Sequence, residues 1–214
     1  MRLRRVPEAR SLVDAHFLTV TEQDALGWHG RWRELFADAG DQPLHLEIGM
    51  GQGHFLHGAA LEHTKINYLG LERRAEPIMW LLKGLTEPYL PNLRIIRAEA
   101  ALLTEMFATA ELDTIYLFFP DPWPKARHAK RRLSAPTFIQ EYQRILKPAG
   151  HLHFKTDSTA FFQWTCESFI EAGWHAEQSS PDKLLCSGEI TTYYEQRFRD
   201  RGQEIYYAVY QYPR

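Results

Sequence analysis

Leu44-His45-Leu46-Glu47-Ile48-Gly49-Met50-Gly51-Gln52-Gly53 decides the fold of this 214-residue chain. Five mostly apolar residues read as a short strand. Three alternating glycines follow, and a helix is predicted from about His54. A glycine turn between a first strand and a helix lets backbone approach a ligand closely, because glycine has no Cβ and accepts positive φ. Taken alone the GxGxG pattern is weak; the strand before it and the helix after it give it meaning.

Working outward, the same alternation recurs. Ile66–Leu71 reads as a strand ending at Glu72, and residues 76–86 as a helix with Ile78, Leu81, Leu82 and Leu85 on one face. Leu93–Arg97 is a third strand, followed by Glu99. Leu112–Phe119 is the most apolar and aromatic strand, stopped by Pro120. Ser134 is read as the N-cap of a helix to about Lys147, with Phe138, Ile139, Tyr142, Ile145 and Leu146 as its buried stripe. His151–Lys155 is a fifth strand, and Asp157 or Ser158 caps a helix through Trp164 and Phe169. Ile190–Arg201 is predicted helical and Glu204–Tyr212 forms a final strand. This order predicts an α/β fold with a mostly parallel sheet and helices on both faces. Residues 1–214 are expected to form one domain, with 1–43 as an arm and a helix around Trp28, Trp32, Leu35 and Phe36 packed on it.

With 13% aromatic and 24% charged residues the composition is that of a folded chain, not a disordered one. Two isolated cysteines, Cys166 and Cys186, build neither a zinc cluster nor a disulfide framework. His151 and His153 share one side of a strand, but no third ligand accompanies them, so no metal is expected. No apolar run follows the first arginines and none approaches a membrane span, so a cytoplasmic location is expected, with no membrane partner. The net charge of −2 conceals an asymmetry: residues 1–10 carry +3 and Lys125–Arg132 carry +5. An acidic body with concentrated basic patches suits a protein that meets a polyanion at one surface.

Ligands of an open parallel sheet bind outside the carboxyl ends of its strands. Glu47 with the glycine loop, Glu72, Glu99 and Asp121 all lie at predicted strand ends. Glu72, 23 residues after Gly49, stands where an acid holds ribose hydroxyls, a spacing shared by dinucleotide enzymes and methyltransferases. Two features separate these. The loop is not the GxGxxG that seats a pyrophosphate, and a carboxylate at Glu47 repels phosphate while attracting an ammonium or sulfonium cation. In Phe118-Phe119-Pro120-Asp121-Pro122-Trp123-Pro124-Lys125, three prolines fix the chain as it leaves the sheet, aiming Asp121 and holding Trp123 beside it. KARHAKRR (125–132) begins at once.

These stretches, LEIGMGQG (46–53), YLGLE (68–72), FPDPWPKARHAKRR (119–132), HFKTD (153–157), and TTYYEQRF (191–198) with GQEIY (202–206), resemble the bacterial tRNA (guanine-N7-)-methyltransferases over nearly the whole chain. The resemblance implies the Rossmann-like, seven-stranded methyltransferase sheet with its last strand antiparallel. It implies S-adenosyl-L-methionine as cofactor, bound by Glu47, Gly49, Gly51, Gly53, Glu72, Glu99 and Asp121. Glu99 replaces the aspartate that the family often has. Asp121 matches the catalytic aspartate. Lys125, Asp157, Thr192, Tyr193, Tyr194 and Glu195 match substrate-binding positions. The implied partner is tRNA, methylated at a guanosine of its variable loop, with Arg127, Lys130, Arg131 and Arg132 on its phosphates, and the protein is expected to be a monomer or homodimer. Three rival readings stay open: a methyltransferase for an exocyclic amine, an NAD-dependent reductase, and a non-catalytic RNA-binding subunit.

Overall fold

Parallel strands buried on both faces need continuous apolar runs, and this chain supplies them in two compact units, residues 1–108 and 109–214. The computed structural model describes residues 6–36, 42–85, 90–181, 195 and 200–213.

In the first unit the strands are β1 (Thr19–Thr21), β2 (Leu44–Ile48), β3 (Asn67–Leu71) and β4 (Leu93–Arg97). All pair in parallel. Leu46 lies against Leu69 and Glu47 against Gly70, Leu69 lies against Arg94, and Thr19 against Ile95. Among the described residues of this unit the α-helices are α1 (Ala9–Asp14), α2 (Glu22–Leu26), α3 (His54–Glu62), α4 (Ala75–Gly84) and α5 (Leu103–Met106). Pro77, Ile78, Met79 and Leu81 form the buried side of α4, and Trp80 faces solvent. β3 is buried along its whole length. Gly70 is required there, because a Cβ would run into Met50 Sδ and Leu56 Cδ2.

The N-terminal segment differs from expectation. It contributes β1 at the edge of β4, an eighth strand among the described residues beyond the seven implied by the resemblance. Around Trp32 there is a short 3-10 turn (Trp32–Leu35) where a helix was predicted. Trp32 is fully buried, stacks on Phe107 and donates from Nε1 to the Met106 carbonyl at 2.8 Å.

In the second unit, β5 (Leu112–Phe118) pairs in parallel with β6 (Leu146–Thr156), Phe118 against Lys155. β8 (Tyr206–Gln211) runs antiparallel to β6, as predicted for the final strand, and β7 (His175–Pro181) runs antiparallel to β8. α6 (Pro136–Ile145) begins one residue later than predicted, with Ala135 in place of Ser134 as its N-cap. Ser134 is not its cap: the hydroxyl is buried against Thr165 Oγ1 at 2.9 Å, and Pro136, pre-set for a first helical turn, opens the helix instead. Ser158 caps α7 (Thr159–Glu171) by accepting from Phe161 N–H at 3.3 Å. Its buried residues Phe161, Phe162, Thr165, Ser168 and Phe169 fall one helical turn apart, and Phe161 and Phe162 pack on Phe154 of β6. Each such phenylalanine contributes roughly 1.5–3 kcal/mol of burial free energy.

Candidate functional site

In the first unit the carboxyl ends of three adjacent parallel strands each carry an acid. β2 ends one residue after Glu47, β3 leads into Glu72, and β4 leads to Glu99. The turn after β2 is held by Gly49 and Met50 N–H groups donating to the Leu71 carbonyl at 2.8 and 3.1 Å. Gly49, Gly51 and Gly53 all lie at positive φ, +77°, +56° and +64°. Gly53 packs where a Cβ would meet Leu81, whereas a Cβ on Gly51 would meet nothing within 4 Å. The loop thus has one glycine demanded by packing and one that keeps a space open.

Glu47 is only 4% exposed. α3 starts on a glycine and has no side-chain cap of its own. Glu47 fills that role from the preceding strand by accepting the backbone N–H of Leu56 in the first turn. Its Oε2 is buried without a hydrogen-bond partner. Burial first, and the neighbouring Glu72 charge second, push the Glu47 carboxyl up to about 8, against the Leu56 hydrogen bond, which pulls the other way. An orphaned buried acid oxygen beside an open glycine loop marks a place for a donor from a ligand, because leaving such a group unsatisfied costs about 1–3 kcal/mol or more.

Glu72 is half-buried and accepts Gly51 N–H at 3.2 Å and Arg74 N–H at 2.9 Å. Burial raises its carboxyl above the ordinary range, opposed by those two amides and by Arg73 and Arg74. Two bonds leave an ionised carboxylate with further acceptor sites for hydroxyls. Glu99 is different: it is 57% exposed at the side chain and forms an ion pair with Arg73 at 3.6 Å. This acidic, phosphate-repelling set fits a cationic ligand that also carries hydroxyls.

In the second unit, β5 and β6 run side by side and release Asp121 and Asp157 from their carboxyl ends; both are exposed. Phe119 N–H extends the ladder to the Lys155 carbonyl at 2.8 Å. The chain then turns with Phe119 at φ +51° and Trp123 at φ +39°. Neither is glycine, so each costs on the order of 1–3 kcal/mol in strain held by its surroundings. Pro120, Pro122 and Pro124 fix the residues between and beyond.

Lys125 precedes a 3-10 helix over Ala126–Arg131. In that geometry side chains three apart eclipse. His128 and Arg131 accordingly share one row, and both reach Trp123. The His128 ring stands edge-on at 5.6 Å and the Arg131 guanidinium lies over the indole at 5.1 Å. Arg127 and Lys130 occupy another row and are exposed. Arg132 folds back: Nε donates to the Pro122 carbonyl at 2.9 Å and Nη2 to the Trp123 carbonyl at 3.1 Å.

Sequence reading missed Lys155. It lies in β6, almost fully buried, with its ammonium 3.0 Å from Glu195 Oε2 and 4.9 Å from the Phe118 ring centre. The signal was available as a lysine that follows Phe154 directly at the end of the strand read over His151–Lys155. Glu195 is equally buried by this pair. Thr192, Tyr193 and Tyr194 lie outside the described residues, as does most of the helix predicted over 190–201. His151 and His153 are committed elsewhere, to Glu177 at 3.1 Å and to Tyr207 Oη at 2.7 Å. Among the described residues no cluster of metal-ligating side chains occurs, and no helix is long and apolar enough to cross a membrane.

Comparison with known proteins matches residues 41–208 to a family model described as "Putative methyltransferase". The tRNA (guanine-N(7)-)-methyltransferase of Limosilactobacillus fermentum is 40% identical over 212 residues, covering 96% of each chain. The protein of the same name from a Geobacillus species is 40% identical over 215 residues, covering all of this chain and 96% of its own. Among solved structures, a 16S rRNA (adenine(1408)-N(1))-methyltransferase from Catenulisporales acidiphilia, determined with its cosubstrate SAM, shares the fold. Its TM-score is 0.61 at 13% identity, over 89% of this chain and 92% of that one. With a Rossmann-like methyltransferase fold and near-full-length likeness to these relatives, the chain belongs to the tRNA (guanine-N(7)-)-methyltransferase family.

Proposed function

We propose that this protein transfers the methyl group of S-adenosyl-L-methionine to N7 of a guanosine in the variable loop of tRNA, acting in the cytoplasm as a single methyltransferase domain. One observation carries the cofactor class: Glu47 Oε2, buried and without a partner, beside a glycine loop whose Gly51 leaves room for a ligand. The relatives' near-full-length identity supports the substrate.

In this reading Glu47 receives the cofactor's ammonium group and Glu72 its ribose hydroxyls, with Glu99 toward the adenine. The bound cofactor supplies a methyl group activated by positively charged sulfur. Guanine N7 has an in-plane lone pair and carries no proton, so no side chain needs to act as a base there. The protein's task is alignment, worth up to roughly 7–11 kcal/mol when reacting atoms are held in line. Asp121 stabilises the positive charge that grows on the purine, or accepts N1–H and N2–H of the guanine edge. Asp157 and Glu195, the latter held by Lys155, assist base recognition together with Thr192, Tyr193 and Tyr194. Lys125, Arg127, Lys130 and Arg131 meet tRNA phosphates.

The test incubates the protein with methyl-labelled cofactor and unmodified tRNA, then applies cleavage selective for N7-methylguanine. Label released at a variable-loop guanosine is expected. Label on an exocyclic amine would replace this reading by the amine-methylating one. Bound tRNA with no label at all would make the chain an RNA-binding subunit.

A further inference from the structure

We propose that Arg132, the last cation of the basic run, is a positioning residue that holds the Asp121 turn in place rather than a phosphate contact. The inference rests on Asp121 serving methyl transfer, as proposed above.

Three observations in the second unit carry it. The guanidinium donates through two of its nitrogens to two consecutive carbonyls, those of Pro122 and Trp123, the residues immediately after Asp121 in that turn. Its face is stacked on α7, with the guanidinium carbon 4.3 Å from the Trp164 ring centre and 5.6 Å from that of Phe161. The turn it grips contains two non-glycine residues at positive φ, Phe119 and Trp123, which persist only where their surroundings hold them.

The chemistry of the turn explains why an arginine is needed. Pro120, Pro122 and Pro124 have no N–H, so every second residue of the turn lacks a backbone donor with which to brace it. A planar fork of N–H groups that also stacks on aromatic rings meets both needs at once, and lysine cannot reproduce it. Arg127 and Lys130 remain on the exposed row of the 3-10 helix. The basic run thus divides into Arg127 and Lys130 turned outward, Arg131 laid over the Trp123 indole, and Arg132 turned back onto the two carbonyls that follow Asp121.

The experiment compares Arg132→Lys, Asp121→Asn and Lys130→Ala in the full-length protein, measuring kcat, KM for each substrate and the salt dependence of tRNA affinity. Arg132→Lys keeps the charge and loses the fork. It is expected to lower kcat by about tenfold to a hundredfold, as a misplaced reacting group does. KM for the cofactor and the salt slope should stay at wild-type values. Lys130→Ala should instead flatten the salt slope by about one. A wild-type kcat in Arg132→Lys, or an Arg132→Ala variant that lowers the salt slope by one with kcat intact, overturns the proposal. Asp121→Asn tells the two failures apart. Turnover near wild type there removes the functional reading itself, whereas an inactive Asp121→Asn beside a fully active Arg132→Lys removes only the positioning role. Should Arg132→Lys fail to fold, Trp164→Leu decides. This variant strips the stacking surface and leaves the fork. A severalfold fall in kcat at unchanged salt slope supports the assignment, and wild-type kcat refutes it.

Discussion

Two turns at strand ends, Gly49–Gly53 and Phe119–Pro124, solve different problems with opposite materials. The first uses glycines at positive φ, where the conformation carries no Cβ penalty, and tucks its carboxylate, Glu47, out of water. The second uses prolines and two non-glycine residues at positive φ, and leaves its carboxylate, Asp121, exposed. Two strained residues cost on the order of 2–6 kcal/mol together. Two hydrogen bonds from a charged guanidinium contribute roughly 3–6 kcal/mol, enough to offset that. A loop that must let backbone approach a small ligand is built from absence of side chains. On the proposed reading, a turn that aims an acid at a nucleobase is built from rigidity and a brace from Arg132.

The largest effect should come from the exposed acid. Asp121→Asn keeps shape and removes charge, and turnover should fall by about 10²–10³-fold, the range for removing one preorganised electrostatic contact. Thermal stability should hardly move, because Asp121 is exposed. A variant that loses stability and activity together would place Asp121 in the scaffold and erase the contrast between the two turns.

The buried acid should behave in the reverse way. Glu47 has its carboxyl raised from 4.5 to about 8. Below pH 4.5 it is protonated whether the chain is folded or unfolded, and contributes no pH dependence. Between pH 4.5 and 8 the unfolded chain ionises and the folded one does not, so stability of the ligand-free protein falls as pH rises. Above pH 8 both forms are ionised and the slope ends. Glu47→Gln should flatten this fall, which amounts to a few kcal/mol across the window. Urea midpoints at pH 5, 6, 7 and 8 measure it. Parallel curves for the two proteins would mean that Glu47 ionises freely in the folded state.

Much of this contrast was legible in the sequence, and the illegible parts have physical reasons. Glycines and prolines announce backbone geometry directly, so both turns and the strands leading into them were readable. The burial of Glu47 was not, since it depends on the Leu56 amide of a helix that lacks its own cap. β1 is three residues long, too short for any alternation to appear, and exists because β4 has an open edge. β7, His-Ala-Glu-Gln-Ser-Ser-Pro, has a loop-like composition and is a strand through pairing with β8. Ser134 looked like a cap because serine usually is one next to a helix. Here Pro136 opens the helix, and the serine hydroxyl turns inward to Thr165. Arg132 reads in sequence as one more cation of a run, and only the fold turns it toward the Pro122 and Trp123 carbonyls.

A smaller effect separates the glycines. Gly51→Ala places a methyl group in open space, so the free protein loses only the penalty of a left-handed alanine, about 1 kcal/mol. On the proposed placement of the cofactor the same methyl enters its room, and affinity for S-adenosyl-L-methionine should drop about tenfold, equivalent to 1.4 kcal/mol. Calorimetric titration measures the affinity and a thermal melt the stability. Gly70→Ala is the opposite case, since its methyl collides with Met50 and Leu56, and about 1–3 kcal/mol of stability should go first. Equal losses of affinity in the two variants at equal stability would show that the space at Gly51 is not where the ligand lies.

The smallest effect tests the basic run. Arg127 and Lys130 share the exposed row of the 3-10 helix, three residues apart. Each phosphate contact contributes close to one unit to the slope of log affinity against log salt, because each releases about one condensed counterion. Arg127→Ala and Lys130→Ala should therefore each lower the slope by about one, and together by about two, since they act as separate point charges. His128→Ala has no such term. It removes an edge contact to Trp123 and should touch the slope not at all while loosening the turn. A double variant whose slope falls by only one would mean that the two cations share a single phosphate. The 3-10 row would then present one contact to the tRNA, not two.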